Sequence, residues 1–350
     1  MSPSEDTRHI NALAPIRICD MGGWTDTWFA GHGAIFNIAV SPYAEVHIEV
    51  SYQRDESPQI ILHAENFNDH YPVDLHHDGW QRHPLLEAAI RYIGVPMGTS
   101  ARINLYSLAP SGASTGTSAA VCVALVGALA ALSGQQMSPQ QAAFTAHAIE
   151  TERLGRQSGI QDQLCSAYGG INFIEIPQYP QAIVTPLSLE DSLWWELEQR
   201  LSLIYLGKSH DSSKIHEKVI SELRDSGPDC SQLEDLRLTA VQSRDALLQG
   251  DLKALGQAMI ANTEAQARLH PELVSADARQ VIEIARQYHA SGWKVNGAGG
   301  EGGSLTLLGS PRPDQRHRMV ETIQKISPLY RLIPIQLDHW GLRVWETKSE

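Results

Sequence analysis

The sequence Pro110-Ser111-Gly112-Ala113-Ser114-Thr115-Gly116-Thr117-Ser118-Ala119-Ala120 leads from a loop of small residues directly into an apolar stretch. Residues 119–132 read AAVCVALVGALAAL, a composition typical of a helix, so Thr117 and Ser118 are predicted at a helix N-terminus. Free N–H groups and the positive end of the helix dipole favour anions there, phosphate above all. Hydroxyl groups can also bind phosphate oxygens or a magnesium ion. The loop therefore predicts a phosphate site; the alternative is a buried helix after an ordinary Gly/Ser turn.

Two common nucleotide-binding motifs do not explain this loop. It lacks the spacing G-x-x-x-x-G-K-[ST] and its lysine, which excludes a Walker loop. Residues 297–302, GAGGEG, formally satisfy the dinucleotide fingerprint G-x-G-x-x-G. However, residues 304–308 are predicted as a strand rather than a helix, and no βαβ unit surrounds the run. A Rossmann dinucleotide site is therefore not expected.

Composition narrows the class of protein further. The 350 residues include 27 basic and 40 acidic side chains, a formal net charge of −13, with no basic run, which argues against a nucleic-acid partner. Cys19, Cys122, Cys165 and Cys230 show no C-x-x-C spacing and are interpreted as buried thiols in a reducing compartment. The polar N-terminus does not resemble a signal peptide, and the longest apolar run is shorter than the ~20 residues of a membrane span. We expect a cytoplasmic protein without a membrane partner, and the sequence indicates no oligomeric state.

Three further segments accompany the small-residue loop. Residues 14–27 read APIRICDMGGWTDT, residues 159–170 read GIQDQLCSAYGG, and residues 294–304 read KVNGAGGEGGS. Together with the loop they resemble the ordered motifs of the GHMP kinases, the family of galactokinase, homoserine kinase, mevalonate kinase and phosphomevalonate kinase. The resemblance spans about residues 12–308, and the Gly-Gly-Trp-Thr-Asp variant most resembles the fucokinase and heptose-phosphate kinase branch.

The sequence departs from the family pattern at two places. Residues 114–118, STGTS, stand where Gly-Leu-Gly-Ser-Ser is common, and a serine in place of the first glycine removes backbone freedom. His210 stands where that branch usually has an arginine. Both departures concern the detailed geometry of the site and leave the hydroxyls of the loop in place.

The resemblance implies a fold of the α+β class with two lobes. The first lobe would be like domain 2 of ribosomal protein S5, and the second would be a ferredoxin-like α/β lobe, with the active site in the cleft between them. We expect an ATP-binding domain at residues 1–190 and a second domain at residues 191–350, because an acidic turn near residue 190 favours a boundary there. Alternating patterns predict strands at 44–50 and 101–107, helices are predicted at 117–133 and 139–155, and 63–83 is predicted to be exposed and irregular.

The resemblance implies a catalytic carboxylate and a neighbouring cation. Asp162 would accept the proton of a hydroxyl while the hydroxyl oxygen attacks a phosphate, and Arg17 would keep that carboxylate ionised. Magnesium prefers hard oxygen ligands, and the resemblance implies Ser118 and Glu152. Glu150 is a rival, because residues two positions apart on a helix point in different directions.

The resemblance also implies which residues contact the two substrates. ATP would contact the loop at Pro110, Gly112, Ala113, Ser114, Thr115, Gly116, Thr117 and Ser118. The acceptor would contact Asp20, Gly23, Trp24, Thr25, Asp26, Lys208, Gly299 and Gly300. Carboxylates bind sugar hydroxyls through charge-assisted hydrogen bonds, whereas Trp24 could pack against a sugar ring or belong to the core.

The histidines between residues 63 and 83 are not predicted to bind a metal. They lack an H-E-x-x-H pattern and a cysteine partner, and are interpreted as surface residues. The histidines concerned are His63, His70, His76, His77 and His83.

The sequence thus predicts an ATP- and magnesium-dependent kinase that phosphorylates a hydroxyl of a sugar or sugar phosphate. Two alternatives stay open. One is a kinase of the same family with a non-sugar acceptor, such as an amino acid or a mevalonate-like acid. The other is a catalytically silent protein that binds sugar and ATP to regulate a partner.

Overall fold

The computed structural model describes residues 8–52, 58–208, 212–223 and 226–348, and within them the chain forms two β-sheets. The first sheet has eight strands, of which six follow the order β12-β1-β2-β5-β3-β4, while β6 pairs with β2 and β7 pairs with β6. Its strands are β1 (Arg8–Met21), β2 (Gly33–Tyr52), β3 (Gln59–Ala64), β4 (Asp69–Pro72), β5 (Thr99–Ser107), β6 (Ile171–Gln178), β7 (Gln181–Pro186) and β12 (Arg343–Lys348).

Strand β1 changes character along its length. In its first half the side chains alternate between partly exposed and buried, as expected where one face of a sheet packs against the core. From Ala14 to Met21 every residue is buried, so both faces of the strand are covered. Arg17 and Asp20 lie in this second half, which places two charged side chains in the interior.

Helix α2 (Thr117–Leu132) is the centre of the first lobe. Its sequence carries no charged residue and is apolar all round, which is typical of a helix buried on every side. It packs on β1 and β2 and is flanked by α1 (Pro84–Ile93), α3 (Pro139–Ala148) and α4 (Gln161–Tyr168). This packing fixes the N-terminus of α2 relative to the buried half of β1.

The second sheet is antiparallel, with the order β11-β8-β10-β9 in the part of the chain that the structure describes. Helices α7 and α8 pack against each other, and α7 contacts β2 while α8 contacts β9, so the pair connects the two sheets. The elements of this half are α5 (Asp191–Arg200), β8 (Leu201–Tyr205), α6 (Ser212–Leu223), α7 (Ser231–Leu248), α8 (Leu252–Leu269), α9 (Ala276–Gln287), β9 (Gly292–Val295), β10 (Ser304–Leu308), α10 (Pro313–Ile326) and β11 (Arg331–Ile333).

Most of the predicted elements are confirmed, with two corrections. The strands at 44–50 and 101–107 lie within β2 and β5, and the helix at 117–133 is α2. The α-helix predicted at 139–155 ends at Ala148 and continues as one π-helical turn, Ile149–Arg153. The prediction for 63–83 is wrong in part, since β4 lies there and pairs with β3. Strand β12 pairs with β1, so the last strand of the chain lies in the first sheet, and the domain boundary near residue 190 stays a prediction.

No helix among the described residues is both long enough and apolar enough to cross a lipid bilayer.

Candidate active site

A cavity of about 690 Å³ lies where four segments converge. These segments are the end of β1 with the turn that follows it, the small-residue loop before α2, the segment from the π-helical turn to α4, and the turn after β9. The cavity is lined by Arg17, Asp20, Gly23, Trp24, Asp26, Thr27, residues 111–119, Glu150, residues 155–159, Gln161, Asp162, Gln163, Glu217, Gly297 and Ala298. The structure thus brings residues from all four sequence segments to one place.

Arg17 and Asp162 form an ion pair in this cavity. Arg17 Nε donates to Asp162 Oδ1 at 2.8 Å, and Arg17 Nη2 donates to Asp162 Oδ2 at 3.3 Å. The guanidinium therefore binds the carboxylate in a bidentate manner. Nη1 donates to the carbonyl oxygen of Ser114 in the small-residue loop. Burial alone would lower the pKa of Arg17, but the charges of Asp162 and Asp20 outweigh it and raise the pKa, so the guanidinium stays charged.

Asp162 lies in the first turn of α4, where the helix dipole favours a carboxylate. Its side chain is 28% exposed, while that of Arg17 is 4% exposed. Gly116, which precedes α2, adopts a φ of +70°, and a methyl group built there would lie 3.2 Å from the Asp162 carboxylate. The loop before α2 therefore approaches the carboxylate closely. The positive φ favours glycine here, and an added methyl group would crowd the carboxylate.

Asp20 forms a second buried ion pair, with Lys294 of β9. Lys294 Nζ lies 3.2 Å from Asp20 Oδ1, and the backbone N–H of Gly297 donates to both Asp20 oxygens at 3.1 and 3.0 Å. Arg17 Nη1 lies 4.0 Å from the same Oδ1. Burial lowers the pKa of Lys294 and the Asp20 carboxylate opposes this effect. Asp20, which is expected to contact the acceptor, is thus paired with Lys294 and accepts hydrogen bonds from Gly297.

Asp26 is buried beside the N-terminus of α4. Its Oδ2 accepts a hydrogen bond from the backbone N–H of Gln161 at 2.9 Å. Desolvation raises the pKa of Asp26 to about 6, and the nearby charge of Asp162 adds to this effect. A methyl group at Gly159 would overlap the Asp26 carboxylate, so the close approach of these two segments requires glycine.

The small-residue loop adopts left-handed backbone conformations at three of its residues, Gly112, Ser114 and Gly116. Ser114, which stands at the position of the first glycine of the family pattern, has a φ of +59°, and Gly116 has a φ of +70°. The sequence departure at Ser114 is therefore accommodated by a conformation that serine rarely adopts. Ser118 is exposed at the cavity, one residue into α2. The N-terminus of α2 and its hydroxyls face the cavity, as the sequence predicts.

Glu150, and not Glu152, lies in the cavity. Glu150 is 6% exposed, and its Oε2 accepts hydrogen bonds from Ser158 Oγ and Gln163 Nε2, both at 3.0 Å. Burial raises the pKa of Glu150. Glu152 is exposed and does not line the cavity. Of the two rival carboxylates, the π-helical turn thus directs Glu150 into the cavity and leaves Glu152 outside it, and the identity of the metal ligand stays a prediction.

Five other expected contact residues do not line the cavity. Pro110 lies outside it, and Thr25 Oγ1 donates instead to the carbonyl of Gly22 at 2.8 Å within a turn. Lys208 pairs with Asp277 at 3.2 Å. Gly299 and Gly300 pack against Leu273, and it is Gly297 and Ala298 that line the cavity. Ser209 and His210 lie outside the described residues.

Sequence reasoning did not identify three charged residues of the site, Lys294, Arg156 and Glu217. Arg156 lies in the break between the π-helical turn and α4, and the sequence offers only its position between two glycines as a signal. Glu217 belongs to α6, and nothing near it in the sequence indicates a site. Trp24 does line the cavity, and it also belongs to an apolar cluster with Val219.

Comparison with known proteins finds similar sequences and folds. Residues 84–170 match the GHMP kinases N terminal domain, a segment that contains the small-residue loop, Glu150 and Asp162. Over this segment the chain is similar to the GHMP kinases. Arg17 and Asp26 lie outside the matched segment but line the same cavity.

Two curated relatives are kinases of sugars or sugar phosphates by name. The bifunctional fucokinase/GDP-fucose pyrophosphorylase of Arabidopsis thaliana is 26% identical over 86% of this chain and 30% of its own length. The D-glycero-alpha-D-manno-heptose 7-phosphate kinase of Campylobacter jejuni is 26% identical over 64% of this chain and 65% of its own length. The chain therefore spans less than two thirds of either relative.

A solved structure shows that the fold is shared. The D-glycero-D-manno-heptose 1-phosphate kinase from Bacteriodes thetaiotaomicron superposes with a TM-score of 0.75 at 20% identity, covering 97% of this chain and all of the other. The expected α+β fold of the GHMP kinases is confirmed.

Proposed function

We propose that this chain is an ATP- and magnesium-dependent kinase that transfers the γ-phosphate of ATP to a hydroxyl of a sugar or sugar phosphate. The observation that carries the proposal is the position of Asp162. This carboxylate, held by Arg17, faces the same cavity as the N-terminus of α2. An acceptor hydroxyl and a phosphate chain can therefore meet there. The names of the fucokinase and heptose-phosphate kinase relatives support a sugar-type acceptor.

The triphosphate of ATP would lie against residues 112–118. These residues have small side chains, so backbone N–H groups at the start of α2 remain accessible to phosphate oxygens. The hydroxyls of Thr117 and Ser118 add donors on the same side. Arg156 supplies positive charge at the cavity, and bound magnesium would offset the charge of the carboxylates there.

Ser118 and Glu150 would hold the magnesium ion. A hydroxyl and a carboxylate are the hard oxygen donors that magnesium prefers, and it usually retains several waters. The fit rests on Glu150, whose Oε2 is fixed by Ser158 and Gln163 while the side chain lines the cavity. Magnesium bound there would neutralise charge that develops on the phosphates.

Asp162 would orient the acceptor hydroxyl and receive its proton. As the hydroxyl oxygen bonds to the γ-phosphorus, the bond to the β,γ-bridging oxygen breaks and ADP leaves. Arg17 holds both oxygens of Asp162, so the carboxylate is positioned before the acceptor arrives. Phosphoryl transfer depends mainly on such positioning and on charge neutralisation.

The acceptor would bind on the side of the cavity formed by the turn after β1. Asp26, Gly23 and Trp24 lie there. A carboxylate forms directional, charge-assisted hydrogen bonds to sugar hydroxyls, and an indole can cover the apolar face of a sugar ring. Arg156, on the opposite segment, could bind a phosphate of the acceptor.

The test is ADP release with magnesium and ATP across fucose, mannose, galactose, heptose 7-phosphate, homoserine and mevalonate. Asp162→Asn should abolish turnover with the accepted substrate and retain ATP binding. Asp191→Asn, at an exposed aspartate in the first turn of α5, is the matched control and should leave turnover unchanged. Turnover that survives in Asp162→Asn would contradict the role of Asp162. ATP binding without turnover on any acceptor would favour the silent regulator.

A further inference from the structure

A second cluster of polar side chains lies on the outer face of the first sheet. His9 of β1 lies opposite Glu49 of β2, and His47 lies two residues before Glu49 on the same face. One ligand atom from each of the three side chains lies within 4.8 Å of the other two. All three residues are partly exposed, and none lines the active-site cavity.

We propose that His9, His47 and Glu49 form a binding site for a divalent transition-metal ion, Zn²⁺ above all. Two imidazoles and one carboxylate are a donor set that zinc accepts in proteins, with water as the fourth ligand. Nitrogen ligands also favour zinc over magnesium, which prefers oxygen. The site is therefore distinct in chemistry and position from the magnesium site proposed at Ser118 and Glu150.

The spacing of the two imidazoles suits a tetrahedral ion. His9 Nδ1 and His47 Nε2 lie 3.4 Å apart, and their rings stack with centroids 5.3 Å apart. With zinc–nitrogen bonds of ~2.0–2.1 Å, two nitrogens at tetrahedral positions lie about 3.4 Å apart. His47 Nε2 lies 3.9 Å from Glu49 Oε1, and a small rotation of the glutamate side chain shortens this distance. The three atoms therefore need little rearrangement to bind one ion.

The tautomer of His47 is fixed by Asn11. His47 Nδ1 lies 2.9 Å from Asn11 Oδ1, which can only accept, so Nδ1 carries the proton. The neutral ring then has its lone pair on Nε2, the nitrogen directed at His9 and Glu49. Asn11 is in turn oriented by Thr347 of β12, whose Oγ1 accepts from Asn11 Nδ2 at 3.3 Å. A polar group that orients a ligating histidine in this way is typical of protein metal sites.

Glu49 is also oriented from its far side. Arg102 of β5 lies 3.3 Å from Glu49 Oε2, while Oε1 is the oxygen nearer to His47. One oxygen is thus held by the guanidinium and the other remains directed at the histidines. Bound zinc would join β1 to β2 and stabilise the folded state by mass action, without taking part in phosphoryl transfer.

The experiment titrates the nucleotide-free, full-length chain with Zn²⁺ against a chromogenic chelator and records the visible absorption of the Co²⁺-loaded chain. One zinc per chain is expected, and His47→Ala and Glu49→Gln should each weaken binding by at least about tenfold. Asn11→Ala should weaken it by about 10–100-fold through the loss of ring orientation. Zinc should raise the melting temperature of the wild type more than those of His47→Ala, Glu49→Gln and Asn11→Ala.

The matched control is His63→Ala. His63 lies on the same sheet, its Nδ1 contacts Asn104, and its ring lies 5.5 Å from that of His70. No carboxylate completes a cluster there among the described residues, so this variant should bind zinc like the wild type. The proposal is overturned if His47→Ala binds zinc as tightly as the wild type. It is also overturned if Co²⁺ shows thiolate charge-transfer bands, which would place the ion at a cysteine, or if no zinc binds.

Discussion

The carboxylate of Asp20 lies 3.2 Å from the ammonium group of Lys294, and both side chains are almost completely buried. Asp20 belongs to β1 in the first sheet, and Lys294 belongs to β9 in the second. Arg17, which holds Asp162, lies 4.0 Å from the same carboxylate. Charges of alternating sign therefore run from β9 through Asp20 and Arg17 to Asp162, and this chain of contacts lets the second sheet position the candidate catalytic pair.

Replacing Lys294 by methionine should destabilise the protein by about 3–5 kcal/mol, because removing one partner of a buried ion pair leaves the other uncompensated. Urea denaturation at neutral pH measures this loss. Lys208→Met is the matched control, since Lys208 forms an exposed pair with Asp277 and should contribute less than about 1 kcal/mol. Equal losses of stability in the two variants would show that the buried Asp20–Lys294 pair contributes no more than an exposed ion pair.

Stability should depend on pH through Asp26. Burial raises the pKa of Asp26 in the folded protein to about 6, above its ordinary value of 3.8, so the folded state holds the proton more tightly than the unfolded state. The stabilisation from this proton is complete below pH 3.8 and is lost as pH rises to about 6. Asp26→Asn should remove this dependence, a difference on the order of 3 kcal/mol across the window.

The Asp26→Asn variant keeps an oxygen that can accept from the N–H of Gln161, so its folding should be preserved. The measurement is the unfolding free energy of both proteins at pH 4.5 and pH 7. Because pH 4.5 lies inside the window, about 2 kcal/mol of the difference is expected between these two pH values. The effects of other titrating groups cancel when the variant is compared with the wild type. Parallel pH profiles would show that Asp26 does not titrate in this range.

Gly159→Ala should lower both stability and turnover. The added methyl group would overlap the Asp26 carboxylate, and the segment leading to Asp162 would have to move. Gly155→Ala tests a nearby glycine that has open space around it but a φ of +64°, so it should show only the conformational penalty of roughly 1 kcal/mol. Thermal unfolding and ADP release are measured for both variants. If both lose the same stability and turnover, the overlap with Asp26 is not the cause of the effect at Gly159.

The sequence predicts the parts of the site that depend on local signals. The start of α2 follows from a loop of small residues before an apolar run, and Asp162 follows from its motif. Lys294 could not be predicted, because its role depends on β9 lying beside β1, a relationship between residues distant in sequence. The same limit applies to His9 and His47, which belong to different strands and meet only through the register of β1 and β2. Histidine spacing along the sequence therefore gives no indication of this pair.

The choice between Glu150 and Glu152 could not be made from sequence either. A regular α-helix through residue 155 offers two carboxylates on different faces, and nothing local says which face is inside. The structure ends the regular helix at Ala148, and the π-helical turn that follows directs Glu150 into the cavity. The change from α-helix to π-helix depends on tertiary packing, so the helix propensities of residues 149–153 do not predict it.

The two glutamates provide a matched pair of variants for the magnesium site. Glu150→Gln should raise the Mg²⁺ concentration needed for half-maximal ADP release by at least about tenfold, because it removes a charged oxygen ligand. Glu152→Gln should leave it unchanged, since that side chain is exposed outside the cavity. Burial raises the pKa of Glu150, and magnesium binds only the ionised carboxylate, so the Mg²⁺ requirement of the wild type should increase as pH falls. This pH dependence should be absent in Glu150→Gln. A Mg²⁺ requirement that changes in Glu152→Gln and not in Glu150→Gln would instead assign the ligand to the exposed residue.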